Sequence, residues 1–380
     1  MPPAPGAEPV DRNGAERVHR VRRGVVRGQG VGEELRIRSR CREAARSSLG
    51  RSARRSIERA RDDGAGHSRW EGLRSYFVIF NPLASRGRAA KSRATIEASF
   101  AAGGADYRLV PTEYRGHAVE LAQDAVRDGW SAIVAVGGDG IVHEVVNGLM
   151  CAAGNGVTVP VGIVPVGSGN DFVKMLGVPP HRPGEAVRRI LTAEPRPVDV
   201  GKVVRHCTGG GPDGAWYFTN GVGVGFDAQV ATHARAIKRL RGAAIYAWAL
   251  LKALRELRSP RIDVFVDGVQ ISDRALILTT VSNGPCHGGN FWLCPGAEVD
   301  DGALDILIAT GRSLPRVLRL LPRVMVGKHL GQWGVELHRG RSVVVRSTER
   351  LPIHADGEFV ADWVTELEIE IVPGRLTVLA

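Results

Sequence analysis

Nowhere in the 380-residue chain is there an uninterrupted apolar run near the roughly 18 residues that a membrane-spanning helix needs. The longest candidate, "AAIYAWALL", is about half that length and has basic flanks. No apolar h-region opens the chain, so no secretory signal is visible. Cysteine is scarce. The five residues (Cys41, Cys151, Cys207, Cys286 and Cys294) are odd in number and share no metal-ligand spacing, which predicts reduced thiols in a cytosolic protein. Neither a Walker GxxxxGKS/T nor a Rossmann GxGxxG occurs, so the two commonest phosphate-binding loops are excluded. Internal repeats are also lacking.

Composition is otherwise ordinary for a globular protein, with 43% hydrophobic and 24% charged residues, and the length suggests two domains. Charge is unevenly placed. Residues 1–70 hold 17 Arg, no Lys and nine acidic residues, and so carry +8 of the net +11. Few aromatics and no sustained apolar period predict a disordered Arg-rich tail over 1–70. An arm that touches nucleic acid or anionic lipid is the alternative reading; nucleic acid is not an expected partner.

From Ser75 the pattern changes. "SYFVIF", "YRLV", "SAIVAV" and "VGIVPV" read as short buried strands, and helical stretches follow them. Strands alternating with helices predict a parallel sheet in an α/β nucleotide-binding domain over 74–195. After "TAEPRPVD" short alternating segments dominate. They predict a C-terminal β-rich sandwich domain over 196–380, with the last strand a candidate to return to the first domain. Two helical stretches interrupt it, near 227–257 and 313–328.

Three loops in the first domain share one design of strand, glycine-containing turn and helix: "NPLASRG", "GGDG" and "GSGND". In a parallel sheet such turns lie at the carboxyl ends of the strands, where ligands bind. Glycine lets backbone approach a phosphate, and the next helix N-terminus offers free N–H donors. Asp139 adds negative charge there, which makes sense beside a Mg²⁺ ion that shares carboxylate and phosphate ligands. The loop is expected to face solvent. A tight turn with an N-capping aspartate is the plain structural alternative. His143 reads as part of a partly exposed polar helix face.

The blocks "FNPLASRGRA", "VGGDGIVHEVVNGL", "VPVGSGNDFVKMLGVP", "NGVGVGFDA", "NGPCHGGNFWLCPGAEVDDGALDI" and "ADGE" together resemble the diacylglycerol kinase catalytic family, in the style of its soluble bacterial lipid kinases. The resemblance runs from about Tyr76 to near the C-terminus. It implies an ATP-binding wall of Asn81, Pro82, Ser85, Thr112, Gly137, Gly138, Gly140, Glu144, Gly167, Ser168 and Asn170, with ATP as co-substrate and Mg²⁺ as cofactor. It implies Asp139 and Glu358 as the catalytic carboxylates, Glu358 as general base. It further implies a structural Mg²⁺ loop in which Asp301 donates a carboxylate and Glu298 and Ala303 donate carbonyls. Two departures stand out: Ile141 and Ser168 replace the family's usual threonines. Asp356 and Glu358 flank Gly357, and alternate residues of an extended segment share a face, so both carboxylates are expected to face the cleft.

The function so implied is phosphorylation of the hydroxyl of diacylglycerol or a related lipid, giving phosphatidic acid for phospholipid biosynthesis. Sphingoid-base or ceramide phosphorylation and an NAD kinase-like activity are the alternatives. A lipid kinase without a membrane span must dock on the bilayer surface, so a cytoplasmic, peripherally membrane-associated protein is expected; a homodimer is allowed. The basic amphipathic stretch 233–261 either lies in the interface or covers the second domain's sheet. The acyl chains are expected near "NGPCHGGNFWLC".

Overall fold

In a computed structural model, residues 75–380 are described except 207–213, 238–242, 290, 312–313, 350 and 362–364. The Arg-rich tail, Cys41, Cys207 and the "KRLRG" centre of the basic stretch therefore lie outside the described residues.

The first layer grows from short β-branched runs. β1 (Ser75–Phe80), β2 (Asp106–Pro111), β3 (Ala132–Gly137) and β4 (Val161–Pro165) pair in parallel in the order β2–β1–β3–β4. Every residue of β3 and β4 is buried, as expected where helices cover both faces of a parallel sheet. Those helices are α1 (Arg93–Ala102), α2 (His117–Arg127), α3 (Asp139–Ala153), the single turn α4 (Asp171–Met175) and α5 (Pro183–Thr192). On α3, Val142, Val145, Val146 and Leu149 form the inward stripe.

The β-rich part follows: β5 (Arg196–His206), β6 (Gly214–Phe218), β7 (Gly221–Gly225), α6 (Phe226–Ala236), α7 (Ala243–Arg255), β8 (Arg261–Val266), β9 (Val269–Ser282), β10 (Leu304–Thr310), α8 (Leu314–Met325), β11 (Val335–Gly340), β12 (Ser342–Arg346), β13 (Ile353–Ala355), β14 (Glu358–Ala361) and β15 (Glu366–Leu379). β9 is long enough to serve both layers: its first half pairs with β8, its second with β7 and β10. Val222, Ile262, Leu276, Leu304, Ile306, Val343 and Ile369 fill the space between the layers. β15 does the same between the two parts of the molecule. Its first half pairs with β12 and β5, and Val378 and Leu379 pair in parallel with β4.

No described helix is long and apolar enough to cross a membrane. Cys151, near the end of α3, is disulfide-bonded, which corrects the expectation of uniformly reduced thiols. Spacing along a chain does not say which cysteines meet in space. Cys286 and Cys294 are free and buried, and burial pushes both thiols up to about 12.

Candidate active site

The three glycine loops meet at the carboxyl ends of β1, β3 and β4, and they meet each other. Asn81 Oδ1 accepts the Leu83 N–H at 2.9 Å, an Asx turn that sets the first loop. Ser85, in the left-handed region with φ 50°, donates its hydroxyl to the Val166 carbonyl at 2.7 Å, so the first loop is tied to the third. A Cβ on Gly138 would stand 3.1 Å from Gly167 Cα, and one on Gly169 would stand 2.5 Å from Asp139 Oδ2. These glycines are required by protein packing on protein, before any ligand is considered.

Gly138, Asp139 and Gly140 are half-buried and line the cleft, and Asp139 is also bonded into the protein. Its Oδ1 accepts the Asp171 N–H at 2.6 Å, at the start of α4. Burial, with the Asp171 and Asp356 carboxylates nearby, pushes its pKa up to about 7. Glu144 turns the other way: Oε1 accepts the Gly116 N–H at 3.0 Å and Oε2 the Ala118 N–H at 3.3 Å, closing the N-terminal turn of α2. Burial raises its pKa. Asn170 is buried in left-handed conformation; its amide donates to the Gly167 carbonyl at 3.0 Å, and its Oδ1 is buried without a hydrogen-bond partner.

"ADGE" is a hairpin turn rather than an extended segment. Asp356 and Gly357 have φ of 51° and 78° and join β13 to β14, the two-residue Asp-Gly turn with both φ positive. Both residues still line the cleft, but the turn holds their carboxylates in different ways rather than side by side. Asp356, 1% exposed at its side chain, accepts the N–H groups of Thr219, Asn220 and Gly221 at 2.9, 2.8 and 3.1 Å. The His143 ring sits 3.2 Å from its Oδ2. His143 is thus buried, not on an exposed face, and ties α3 to the hairpin; hydrogen bonding to it helps to hold the Asp356 carboxyl below its ordinary range despite burial. Glu358, 28% exposed, points past the turn instead. Its Oε2 accepts from Arg115 at 2.7 Å, and a Cβ on Gly140 would stand 3.1 Å from its Oε1.

One cleft of about 1480 Å³ collects most of these groups. Asn81, Ser85, Thr112, Gly138, Asp139, Gly140, Glu144, Gly167, Ser168, Asn170 and Glu358 line it; Pro82 and Gly137 do not. Gly137 is packed under Ile141, whose Cγ2 would be 2.5 Å from an added Cβ. The apolar end of the cleft is formed by Phe226, Val230, Leu250, Ile277, Phe291, Leu293, Val317, Leu320, Leu321 and Val324.

Several residues at the join were not singled out from sequence. The Asp171 carboxylate accepts the Gly289 N–H at 2.8 Å and Lys174 Nζ at 2.8 Å, and Lys174 reaches the Gly289 carbonyl, so α4 is bolted to the "PCHGG" loop of the β-rich part. Asp227 accepts the Thr280 hydroxyl at 2.9 Å and lies 3.7 Å from His354 Nε2. Asp227, His354 and His287 all line the cleft. For all but His354, which directly precedes "ADGE", the signal was the "GSGNDFVK", "GFDA" and "PCHGG" stretches themselves, in which position alone does not tell a wall residue from a turn residue.

The Glu298–Ala303 loop lies apart from this cleft. Asp301 Oδ1 accepts the Ala303 N–H at 3.0 Å, and Oδ2 is ion-paired with Arg339. The buried Asp199 shapes the loop by accepting the N–H groups of Gly302 and Gly374, each at 2.7 Å. Among the described residues no three His, Cys, Asp or Glu side chains converge as metal ligands.

Residues 75–203 match the model of the diacylglycerol kinase catalytic domain, and residues 220–380 that of the YegS C-terminal NAD kinase beta sandwich-like domain. A diacylglycerol kinase of Mycobacterium tuberculosis is 30% identical over 315 residues, covering 83% of this chain and 98% of that protein. The chain belongs to the diacylglycerol kinase-like lipid kinase family. A second relative, named "Probable lipid kinase YegS-like", from Chromohalobacter salexigens, is 37% identical over 247 residues, 64% of this chain and 74% of that one. A solved diacylglycerol kinase structure from Bacillus anthracis shares the fold, with a TM-score of 0.61 at 23% identity over 81% of this chain and 97% of that one. The family's α/β and β-sandwich parts are those described above.

Proposed function

We propose that the chain transfers the γ-phosphate of ATP to the hydroxyl of diacylglycerol, or of a related lipid, at the cytoplasmic surface of a bilayer. The observation that carries this reading is the cleft: one continuous space with a glycine-loop end and an apolar end. Its volume exceeds the roughly 300–1,000 Å³ of a single small-ligand site, as two substrates require.

At the polar end the N-terminus of α3, from Gly138 to Gly140, offers N–H donors to phosphate. Arg86 and Arg88 line the same end and suit a triphosphate. The donor set at Asp139 fits a divalent cation: a carboxylate crowded by two others, with the unpartnered Asn170 Oδ1 nearby. When bound with the nucleotide, Mg²⁺ supplies charge neutralisation on the transferring phosphate. Glu358 accepts the proton of the lipid hydroxyl. That oxygen forms the new bond to the γ-phosphorus as the bond to the β–γ bridging oxygen breaks, and ADP leaves. Arg115 orients Glu358. At the Asp301 loop the set of Asp301 with the carbonyls of Glu298 and Ala303 does not fit a second Mg²⁺ while Arg339 holds the carboxylate, so a cation there competes with that ion pair.

Purified protein incubated with γ-labelled ATP, Mg²⁺ and a panel of mixed-micelle lipids tests the reading. Label in phosphatidic acid is the expected result. Label confined to sphingoid or ceramide phosphate would move the substrate class, and label in NADP would overturn the lipid assignment.

A further inference from the structure

α8 stands on an excursion from the β10–β11 pair. The excursion is closed at its base, where the Thr310 N–H donates to the Gly334 carbonyl at 2.7 Å and the Thr310 hydroxyl reaches the same oxygen at 3.3 Å. One side of α8 belongs to the cleft, with Val317, Leu320, Leu321 and Val324 in its apolar wall. Among the described residues nothing covers the other side. Leu318 and Met325, seven residues apart, are 48% and 49% exposed, and Val326 in the next turn is 63% exposed. A single exposed leucine is ordinary. Three large apolar side chains on the outer side of one helix and its turn are less so, and their setting is electrostatically one-sided. From Ile306 to Val335 the chain has no Asp or Glu, but it has Arg312, Arg316, Arg319, Arg323 and Lys328. Arg319 and Lys328 are exposed beside the apolar residues.

α7 repeats the arrangement next to it. Ala253, Leu250 and Leu254 pack in the same cluster as Val317, while Trp248 and Leu251 are turned outward with Lys252 and Arg255.

We propose that α8 and the turn after it seat this protein in an anionic lipid leaflet, and that the lipid enters the cleft past this helix. The inference rests on the lipid-kinase reading of the cleft. It follows from continuity and charge. The outer side of α8 is a basic amphipathic surface of the kind that lies in a membrane interface, and its inner side is already the wall of the apolar compartment. A lipid sliding past it exchanges one apolar environment for another without crossing water. A second copy of the chain is a poor occupant, because it would bring a like-charged face. An anionic headgroup layer supplies the missing counter-charge.

The full chain is sedimented with phosphatidylcholine vesicles, with and without phosphatidylglycerol. Binding should require the anionic lipid and weaken with salt. Arg319→Gln with Lys328→Gln should cost about fivefold per charge, and Leu318→Glu with Val326→Glu at least about tenfold. Turnover of long-chain diacylglycerol in anionic vesicles should fall by the same factors. Turnover of a water-soluble short-chain diacylglycerol should be unchanged, which also shows that the variants fold. Wild-type vesicle binding and vesicle turnover in both double variants would overturn the proposal. So would a loss of self-association with unchanged vesicle binding, which would make this face a contact between copies. Failure of the wild type on every lipid, short-chain included, would instead sink the kinase reading, while vesicle binding would still decide the docking face.

Discussion

Asp139 and Glu358 reach the same region from different parts of the chain, and they are held in opposite ways. Glu358 is open and paired with an exposed arginine. Glu358→Gln keeps its shape and hydrogen-bonding reach but cannot take a proton, so kcat should fall by about 10²-fold or more with an unaltered Tm. Steady-state kinetics and a thermal melt check this, and wild-type turnover would remove Glu358 from the base role. Asp139 is half-buried between the Asp171 and Asp356 carboxylates, with its pKa pushed up to about 7. Between its unfolded pKa near 4 and that value the native state binds the extra proton. Stability without ligand should therefore fall as pH rises across this window, and the fall should be complete above it. Asp139→Asn should flatten that dependence and raise the Tm at pH about 8, by more than about 1 kcal/mol of stability, while abolishing transfer. A variant melting below wild type at that pH would show that the Asp171 N–H bond outweighs the buried charge.

At the scale of elements, the loop Glu298–Ala303 is a contest between Arg339 and a cation for Asp301. If Mg²⁺ binds there in the native state only, it raises Tm by mass action. Arg339→Ala should enlarge the Mg²⁺-dependent rise in Tm, and Asp301→Ala should abolish it. Equal Mg²⁺ responses in all three proteins would place no metal at this loop. The elements themselves differ in how far they can be read from sequence. β3 and β4 are visible because a strand buried on both faces must be apolar throughout, and the glycine turns are visible because close backbone packing excludes every side chain. His143 and Asp356 are not, since their partners are 213 residues apart in the chain and no periodicity marks them. "ADGE" misleads for a related reason. Two residues at positive φ reverse the chain, so the alternation that would place Asp356 beside Glu358 never applies. Cys151 likewise gives no local sign of its disulfide.

At the scale of the molecule, the first domain does not close without the end of the chain. Leu376, Val378 and Leu379 are buried between β4 and β5, in the same core as Ile133 and Ile163. Arg375 donates to the carbonyls of Gly154 and Gly156 beyond α3, at 2.5 and 2.6 Å, and the Thr377 N–H donates to Thr158 at 3.1 Å. The other long strand, β5, also runs between the parts, and Asp171 and Lys174 fasten the active-site side to the Gly289 loop. With two strands shared, and Asp171 and Lys174 both bonded to the Gly289 backbone across the join, neither part can unfold while the other keeps its edges paired. The full chain should therefore unfold in one calorimetric transition rather than two, with equal calorimetric and van't Hoff enthalpies. Val378→Asp should lower that single transition as a whole, because it places an unpaired charge in the shared core. Two resolved transitions in the wild type, or a Val378→Asp protein in which only one of two transitions moves, would show that the strand crosses between the domains without coupling them.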